Sequence, residues 1–268
     1  MVSSNYSCIN AVQNRACRFY LGVGRYAPTD GVLGDLRWVP VSISQKTAAL
    51  RQWRRYMCMD NNRLNKRMLL WADKYATTGC KNWNFKIRKL FRECDCSYLE
   101  DAVGLDMVRI MEDMLFSSYK RAWAVRTDEN TGKLRTYKTV KSNGYHAEHY
   151  VTSHMPRSFR SAMAKFRLGV APIRLETGRY ERLPVEQRLC QMCENRCAED
   201  ENHVILKCPF YDDLRYSLVK EAEYVCSNFS VLSDAGKFEV LFTHVNLTML
   251  CAKTCFNILR RRRWCFYK

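Results

Sequence analysis

Three cysteines and one histidine fall at a spacing that suits a metal ion: Cys190-Gln-Met-Cys193, nine residues, His203, four residues, Cys208. A Cys-x-x-Cys knuckle turns two thiolates onto one ion. A His and a Cys five positions apart reach it from the other side when their segment is a turn or the start of a helix. Four N/S ligands in a closed tetrahedral set suit Zn2+. Because this set leaves no position open for water, the expected zinc is structural rather than catalytic. Cys197 is a fifth candidate ligand. Cys193 is preferred because only Cys190 and Cys193 meet the two-residue knuckle spacing. The competing reading is a cluster of buried free thiols beside a hydrogen-bonded imidazole.

Two other strings carry weaker signals. Phe210-Tyr211-Asp212-Asp213 matches the F-x-D-D string of a polymerase site, where adjacent carboxylates hold Mg2+. Polymerases place that string in a hairpin between apolar strands, with a third carboxylate close by. Here it follows Cys208-Pro209 and is expected to open a helix, where acidic residues favour the dipole. The two carboxylates are therefore read as a false lead, and no catalytic residue is assigned. Gly22-Val23-Gly24 is too short to be a phosphate loop.

Charge points to a polyanion. Lys and Arg number 44 against 27 Asp and Glu, a formal net charge of +17. Residues 51–92 hold 12 Lys and Arg against two Asp, and residues 157–189 hold eight against three Glu. In the second cluster Arg174, Arg179, Arg182 and Arg188 flank the metal motif, with Tyr180 among them. Arginines contact phosphates and an aromatic stacks on an unpaired base, so these five are the candidate nucleic-acid contacts. The plain alternatives are solvated helix faces and a Tyr180 that packs on the knuckle.

The elements that must position these residues are mainly helices. Leu50, Trp53 and Met57 recur at helical spacing in 45–58, and Leu64, Met68, Trp71 and Tyr75 in 62–76. A third helix carries Trp83, Ile87, Leu90 and Phe91. A fourth starts near Asp106, with Met107, Ile110, Met111, Met114, Leu115 and Tyr119 on one face. All four stripes are expected to be core. Further helices are expected over 157–168, 210–226 and 246–266, the last ending in four arginines, Arg260 to Arg263. The expected fold is mostly α, with helical bundle segments, a small CCHC zinc knuckle and few short strands. The segments divide into a loop-rich 1–45, a helical 46–126, a linker at 127–149, a zinc-binding domain at 150–226 and a helical tail at 227–268.

Apolar residues at 47% exclude a wholly disordered chain. Mean hydropathy is −0.39, and no apolar run nears the roughly 18 residues of a membrane span, so no membrane association is expected. The N-terminal residues lack a basic region followed by an apolar stretch, which reads as no signal peptide. Fourteen cysteines are then expected to be reduced, in an intracellular compartment, nuclear or cytoplasmic.

A family resemblance rests on particular residues. Phe166-Arg167-Leu168-Gly169, Arg174-Leu175-Glu176-Thr177-Gly178-Arg179-Tyr180, the metal motif with Glu199-Asp200-Glu201-Asn202-His203, and Cys208-Pro209-Phe210-Tyr211 with Arg215 resemble the reverse-transcriptase zinc-binding region. That region closes the reading frame of many non-LTR retrotransposons. Val12 to Phe19, Leu21-Gly22-Val23 and Leu50-Arg51-Gln52-Trp53 are similar to the segment after the polymerase thumb. Residues 133–137 and 150–153 are similar to the linker before the zinc motif. The resemblance implies Cys190, Cys193, His203 and Cys208 as zinc ligands. It also implies contact with template or target RNA or DNA. The endonuclease and the polymerase palm have no counterpart, so the chain resembles a truncated or remnant piece of such an element. A zinc-stapled protein-interaction scaffold is the alternative, and an enzyme that needs a partner domain is the third.

Overall fold

A computed structural model describes residues 6–76, 81–94, 105–130, 132–141 and 144–266. The chain is mainly helical. Among the described residues its α-helices are α1 (Tyr6–Leu21), α2 (Thr29–Leu36), α3 (Val41–Met57), α4 (Leu64–Ala76), α5 (Trp83–Glu93), α6 (Leu105–Glu129), α7 (Tyr137–Val140), α8 (His149–Thr152), α9 (Arg157–Arg167), α10 (Arg174–Tyr180), α11 (Asp212–Val225), α12 (Asp234–Thr243) and α13 (Thr248–Phe266). Among the described residues, strand-type pairing is limited to one antiparallel bridge, Leu189 with Ala198. No described helix is long and apolar enough to cross a membrane. The chain divides into two compact units, one of residues 1–13 and 39–123, the other of residues 14–38 and 124–268.

The loop-rich character expected for residues 1–45 is corrected. Pro28 and Pro40, read as breakers, instead sit at the residues that start α2 and α3, with φ of −58° and −53°. A proline there lacks only an N–H that no helical carbonyl would have accepted. Gly31, also read as a loop signal, lies inside α2 because a side chain would collide with its neighbours. A Cβ at that site would come within 2.6 Å of Leu168.

In the first unit α3, α4, α5 and α6 enclose one apolar core. Leu50, Trp53, Leu69, Ile87, Leu90, Phe91, Met107, Met111 and Leu115 are buried there, with the Trp53 and Phe91 rings edge to face at 5.3 Å. The expected stripes of α3 and α5 are in this core. Two expectations are corrected. Ile110 and Met114 of α6 turn outward. The whole α4 stripe does too: Leu64, Met68, Trp71 and Tyr75 are 67%, 59%, 64% and 48% exposed. The line of α4 that faces inward is Lys66, Leu69 and Asp73. Lys66 donates to the Met57 carbonyl, and Asp73 pairs with Arg88 at 2.6 Å. Two lines of α4 could each have been the inner one, and the polar partners on α3 and α5 select the one that contains Asp73.

The second unit is organised on a buried ionic cluster. Arg167 at the end of α9 is fully buried and pairs with Asp35 at 3.0 Å and Glu148 at 2.9 Å. Tyr137 and Tyr150 donate to the two Asp35 carboxylate oxygens at 3.0 and 2.6 Å, and Lys141 closes the group on Glu148 at 2.5 Å. Two cations and two carboxylates balance, so the charges are tolerated in a low-dielectric interior. Burial beside Asp35 pushes both tyrosine hydroxyls well above their usual range, so they act only as donors to it. Residues 127–149 are therefore no solvated linker: Leu134, Tyr137 and Val140 are buried in this unit. Gly169, after Arg167, has φ of +60°, and a Cβ there would sit 1.8 Å from the Lys133 carbonyl oxygen. The C-terminal stretch is likewise part of the core. Helix α13 packs along α9 and buries Cys251, Ala252, Cys255 and Ile258.

Candidate metal centre

The metal motif begins with a small hairpin. The Leu189–Ala198 bridge closes it, with Cys190 N donating to Cys197 O at 2.9 Å and Glu199 N to Arg188 O at 3.0 Å. These bonds turn the loop carrying Cys193 back over Cys190. The chain then enters a single π-helical turn, His203–Lys207. Asp200 starts that turn by accepting from His203 N at 2.7 Å, and Cys208 N closes it on His203 O at 2.7 Å. Pro209 follows and ends the turn, leading into α11.

These elements bring one atom from each of Cys190, Cys193, His203 and Cys208 within 4.8 Å of one another. Zinc with Zn–S of about 2.3 Å and Zn–N of about 2.1 Å in a tetrahedron requires S···S edges of about 3.8 Å and S···N edges of about 3.6 Å. The Cys190–Cys208 sulfur separation is 3.9 Å, and Cys193 Sγ lies 3.5 Å from His203 Nε2. Two independent edges of the tetrahedron thus have the right length. Cys190, His203 and Cys208 are buried, and Cys193 is half-buried. The four residues form a metal-capable site whose donors and spacing are consistent with zinc.

Burial governs the protonation of these ligands. It pushes the Cys208 thiol up to about 11 and the Cys190 thiol higher still, and it lowers the His203 imidazole. Without a cation, burial thus favours the protonated thiols of Cys190 and Cys208 and the uncharged His203 ring. A divalent cation reverses the thiol preference by supplying the charge that burial removed.

Cys197 stands on the other side of the imidazole, its Sγ 3.1 Å from His203 Nδ1. It lies outside the four-residue cluster, at the ring nitrogen left over once Nε2 faces the cysteines. Metal-bound imidazoles donate that second N–H to an acceptor, which fixes the ring.

The surrounding charges were not legible in the sequence. Glu199 is 0% exposed, and its Oε1 lies 3.5 Å from Cys190 Sγ. Arg262 of α13, 4% exposed, grips both Glu199 oxygens, with Nη2 to Oε2 at 2.7 Å, and also donates to the Pro172 carbonyl at 2.7 Å. Arg215 donates to the Cys208 carbonyl, and Arg135 pairs with the buried Glu201. The run Arg260 to Arg263 is thus not a uniform basic patch. Arg262 points inward and Arg261 clamps Asp213, while Arg260 and Arg263 are exposed. No motif distinguishes the buried arginine from its neighbours; only the three-to-four-residue periodicity of α13 with Cys255 and Ile258 hints at it.

The candidate nucleic-acid contacts separate by environment. Glu199 Oε2 accepts from Arg174 N at 2.6 Å and Glu199 O from Leu175 N at 3.1 Å, so the start of α10 is tied to the metal loop. At the far end of α10, Tyr180 is 67% exposed. Arg179 is half-buried and 3.6 Å from Glu176, and Arg182 is exposed in the turn that follows. Arg174 pairs with Glu181, and Arg188 directs its guanidinium at the carbonyls of Leu183 and Leu175 at 2.6 to 3.0 Å. Arg188 thus holds the turn, while Tyr180 and Arg182 are exposed and Arg179 stays half-buried beside Glu176.

Asp212 and Asp213 lie in the first turn of α11, where the sequence places them. Asp212 pairs with Arg215 at 2.8 Å and Asp213 with Arg261 at 2.6 Å. The Arg261 guanidinium holds the Asp213 carboxyl below its usual range. Comparison with protein-family models, with curated proteins and with solved structures gives no match to this chain.

Proposed function

We infer that this chain is a zinc-stapled, basic nucleic-acid-binding module that resembles the non-catalytic zinc-binding region of a non-LTR retrotransposon reverse transcriptase. The observation that carries the reading is the short α10 segment, anchored through Glu199 to the metal loop, which holds Tyr180 and, in the turn after it, Arg182 toward solvent, with the half-buried Arg179 beside them. A formal charge of +17 supports a polyanionic partner. Arg179 and Arg182 would contact phosphates and release counterions, and the exposed Tyr180 ring would stack on an unpaired base. Zinc adds no contact of its own here; it sets where the segment stands.

The test is a binding titration of single-stranded RNA, single-stranded DNA and duplex of equal length, at two salt concentrations, with and without chelator. Affinity should fall with salt. It should fall again on zinc removal, although no positive side chain is lost. Tyr180→Ala should weaken single strands more than duplex, by about 1–3 kcal/mol per stacked base. Equal affinity with and without zinc at both salts would overturn the reading. The same chain should not extend a primer with Mg2+ and nucleotides, and template-dependent extension that vanishes in Asp212→Asn would refute the non-catalytic part.

A further inference from the structure

The hairpin that carries the metal ligands holds one thiol more than the metal needs. Cys193 and Cys197 both face the His203 ring. Cys193 Sγ lies 3.5 Å from Nε2, and Cys197 Sγ lies 3.1 Å from Nδ1 and 3.9 Å from Nε2. The two thiols are also within hydrogen-bonding reach of each other. A turn at Glu194 and Asn195, followed by Arg196, joins them, and all three residues are exposed. The two ends of this loop can therefore close on each other without displacing a core side chain. Exposure also ranks the ligands: Cys190 and Cys208 are buried, whereas Cys193 and Cys197 are half-buried. A metal-bound thiol is a thiolate, the form that oxidants attack. Cys193 is then the thiolate that solvent reaches most readily, and Cys197 is the neighbouring thiol outside the ligand set.

We propose that Cys193 and Cys197 are an oxidative modification site: a peroxide converts the pair to a disulfide, and the zinc ion leaves. In the first step the Cys193 thiolate attacks one peroxide oxygen. The O–O bond breaks, Cys193 becomes a sulfenic acid, and the departing hydroxide takes a proton from solvent to form water. In the second step the Cys197 sulfur attacks the sulfenic sulfur. The S–S bond forms, the S–O bond breaks, and the Cys197 proton leaves with the hydroxide as a second water. The two sulfurs lose two electrons and the peroxide gains them. Cys190, His203 and Cys208 remain, one ligand short of the closed tetrahedron, and His203 loses the acceptor on its Nδ1, so the metal is held more weakly. Cys190 and Cys208 are poorer partners for the sulfenic acid, because both are buried and engaged as ligands. A dithiol reductant reverses the bond, which makes the metal loop a reversible switch. The switch rests on zinc at this site and is independent of any nucleic-acid contact.

The experiment treats the full, reduced, zinc-loaded chain with hydrogen peroxide and follows released zinc with a chromogenic chelator. Remaining thiols are then blocked, and the denatured chain is cut with trypsin. Cleavage after Arg188, Arg196, Lys207 and Arg215 separates Cys190 and Cys193 (residues 189–196) from Cys197 (residues 197–207) and from Cys208 (residues 208–215), so each pairing gives a product of different mass. Zinc should be released as residues 189–196 become linked to 197–207, with fragmentation placing the bond on Cys193. Dithiothreitol and fresh zinc should then restore the full zinc content. Cys197→Ser keeps all four ligands. It should lack the linked product and recover little zinc, because Cys193 without its partner thiol goes on to the sulfinic acid, which dithiothreitol does not reduce. A bond within residues 189–196, or from there to 208–215, in place of the expected link would overturn the proposal. Full recovery of zinc in Cys197→Ser, or zinc retained by a chain that carries the Cys193–Cys197 bond, would do the same. A reduced chain without zinc at the outset would refute the metal reading and the switch together, and the zinc measurement made before peroxide tells that failure from the others.

Discussion

Replacing Arg262 by Ala is the sharpest probe of how the metal loop is held. Arg262 is 4% exposed and Glu199 0% exposed, and the two are joined by a bidentate contact, so the charges lie almost wholly outside solvent. The substitution leaves the Glu199 carboxylate buried, with the Arg174 amide at 2.6 Å as its remaining strong donor and the Cys190 sulfur 3.5 Å away. Stranding one partner of a buried pair costs about 3–5 kcal/mol. Against a total stability of about 5–15 kcal/mol this is a large fraction. The neighbouring Arg263 is exposed, and Arg263→Ala should change stability by less than about 0.5 kcal/mol. Both are read by chemical denaturation of zinc-loaded protein, with zinc affinity measured separately by chelator competition. A bare carboxylate beside a thiolate raises the cost of ionising Cys190, so zinc affinity should fall in parallel. Adding Glu199→Gln to Arg262→Ala removes the stranded charge and should restore part of the loss. If Arg262→Ala costs under about 1 kcal/mol, or if Glu199→Gln restores nothing, the buried pair is not what holds the loop.

Three further outcomes are expected. Cys208→Ser should abolish stoichiometric zinc, whereas Cys197→Ala should keep it with affinity lowered by about 10–100-fold, because only the acceptor on His203 Nδ1 is lost; zinc retained in Cys193→Ala and lost in Cys197→Ala would exchange the two roles. Zinc affinity should rise with pH between 6 and 8, because the raised Cys190 and Cys208 thiols hold protons that zinc must displace, while burial lowers the His203 ring and so reduces its share of the pH dependence. These two thiols alone imply about two decades of apparent affinity per pH unit, and a flat profile in a metal-buffered competition would show that they bind no metal. Gly169→Ala should destabilise the fold by more than about 2 kcal/mol, combining left-handed strain of about 1–2 kcal/mol with the clash on Lys133 O, measured as a shift in the denaturation midpoint.

The sequence alone determined the helical class and the four metal-capable residues. Both follow from short-range information. Periodicity of about 3.6 residues places Leu50, Trp53, Ile87 and Leu90 on inner faces without knowledge of their partners. The knuckle and the His-x4-Cys step restrict two ligand pairs to local turns. The side on which Cys197 meets His203 was not local, since it depends on how the hairpin folds over the π-helical turn. Three matters belonged to the tertiary structure. Both apolar and mixed lines of α4 had helical spacing, and polar contacts such as the Asp73–Arg88 pair, Lys66 on the Met57 carbonyl and Asn84 on the Leu69 carbonyl go with the line that turned inward. Pro28, Gly31 and Pro40 carry loop-like propensity, and packing against Leu168 and cap positions overrode it. Above all, Arg167 and Arg262 look like any other arginines among 44 Lys and Arg. Their counter-charges arrive from elsewhere in the chain: Asp35 and Glu148 lie 132 and 19 residues from Arg167, and Glu199 lies 63 residues from Arg262. A charge can be buried only where its counter-charge arrives with it, and that meeting is settled by the fold rather than by any window of sequence.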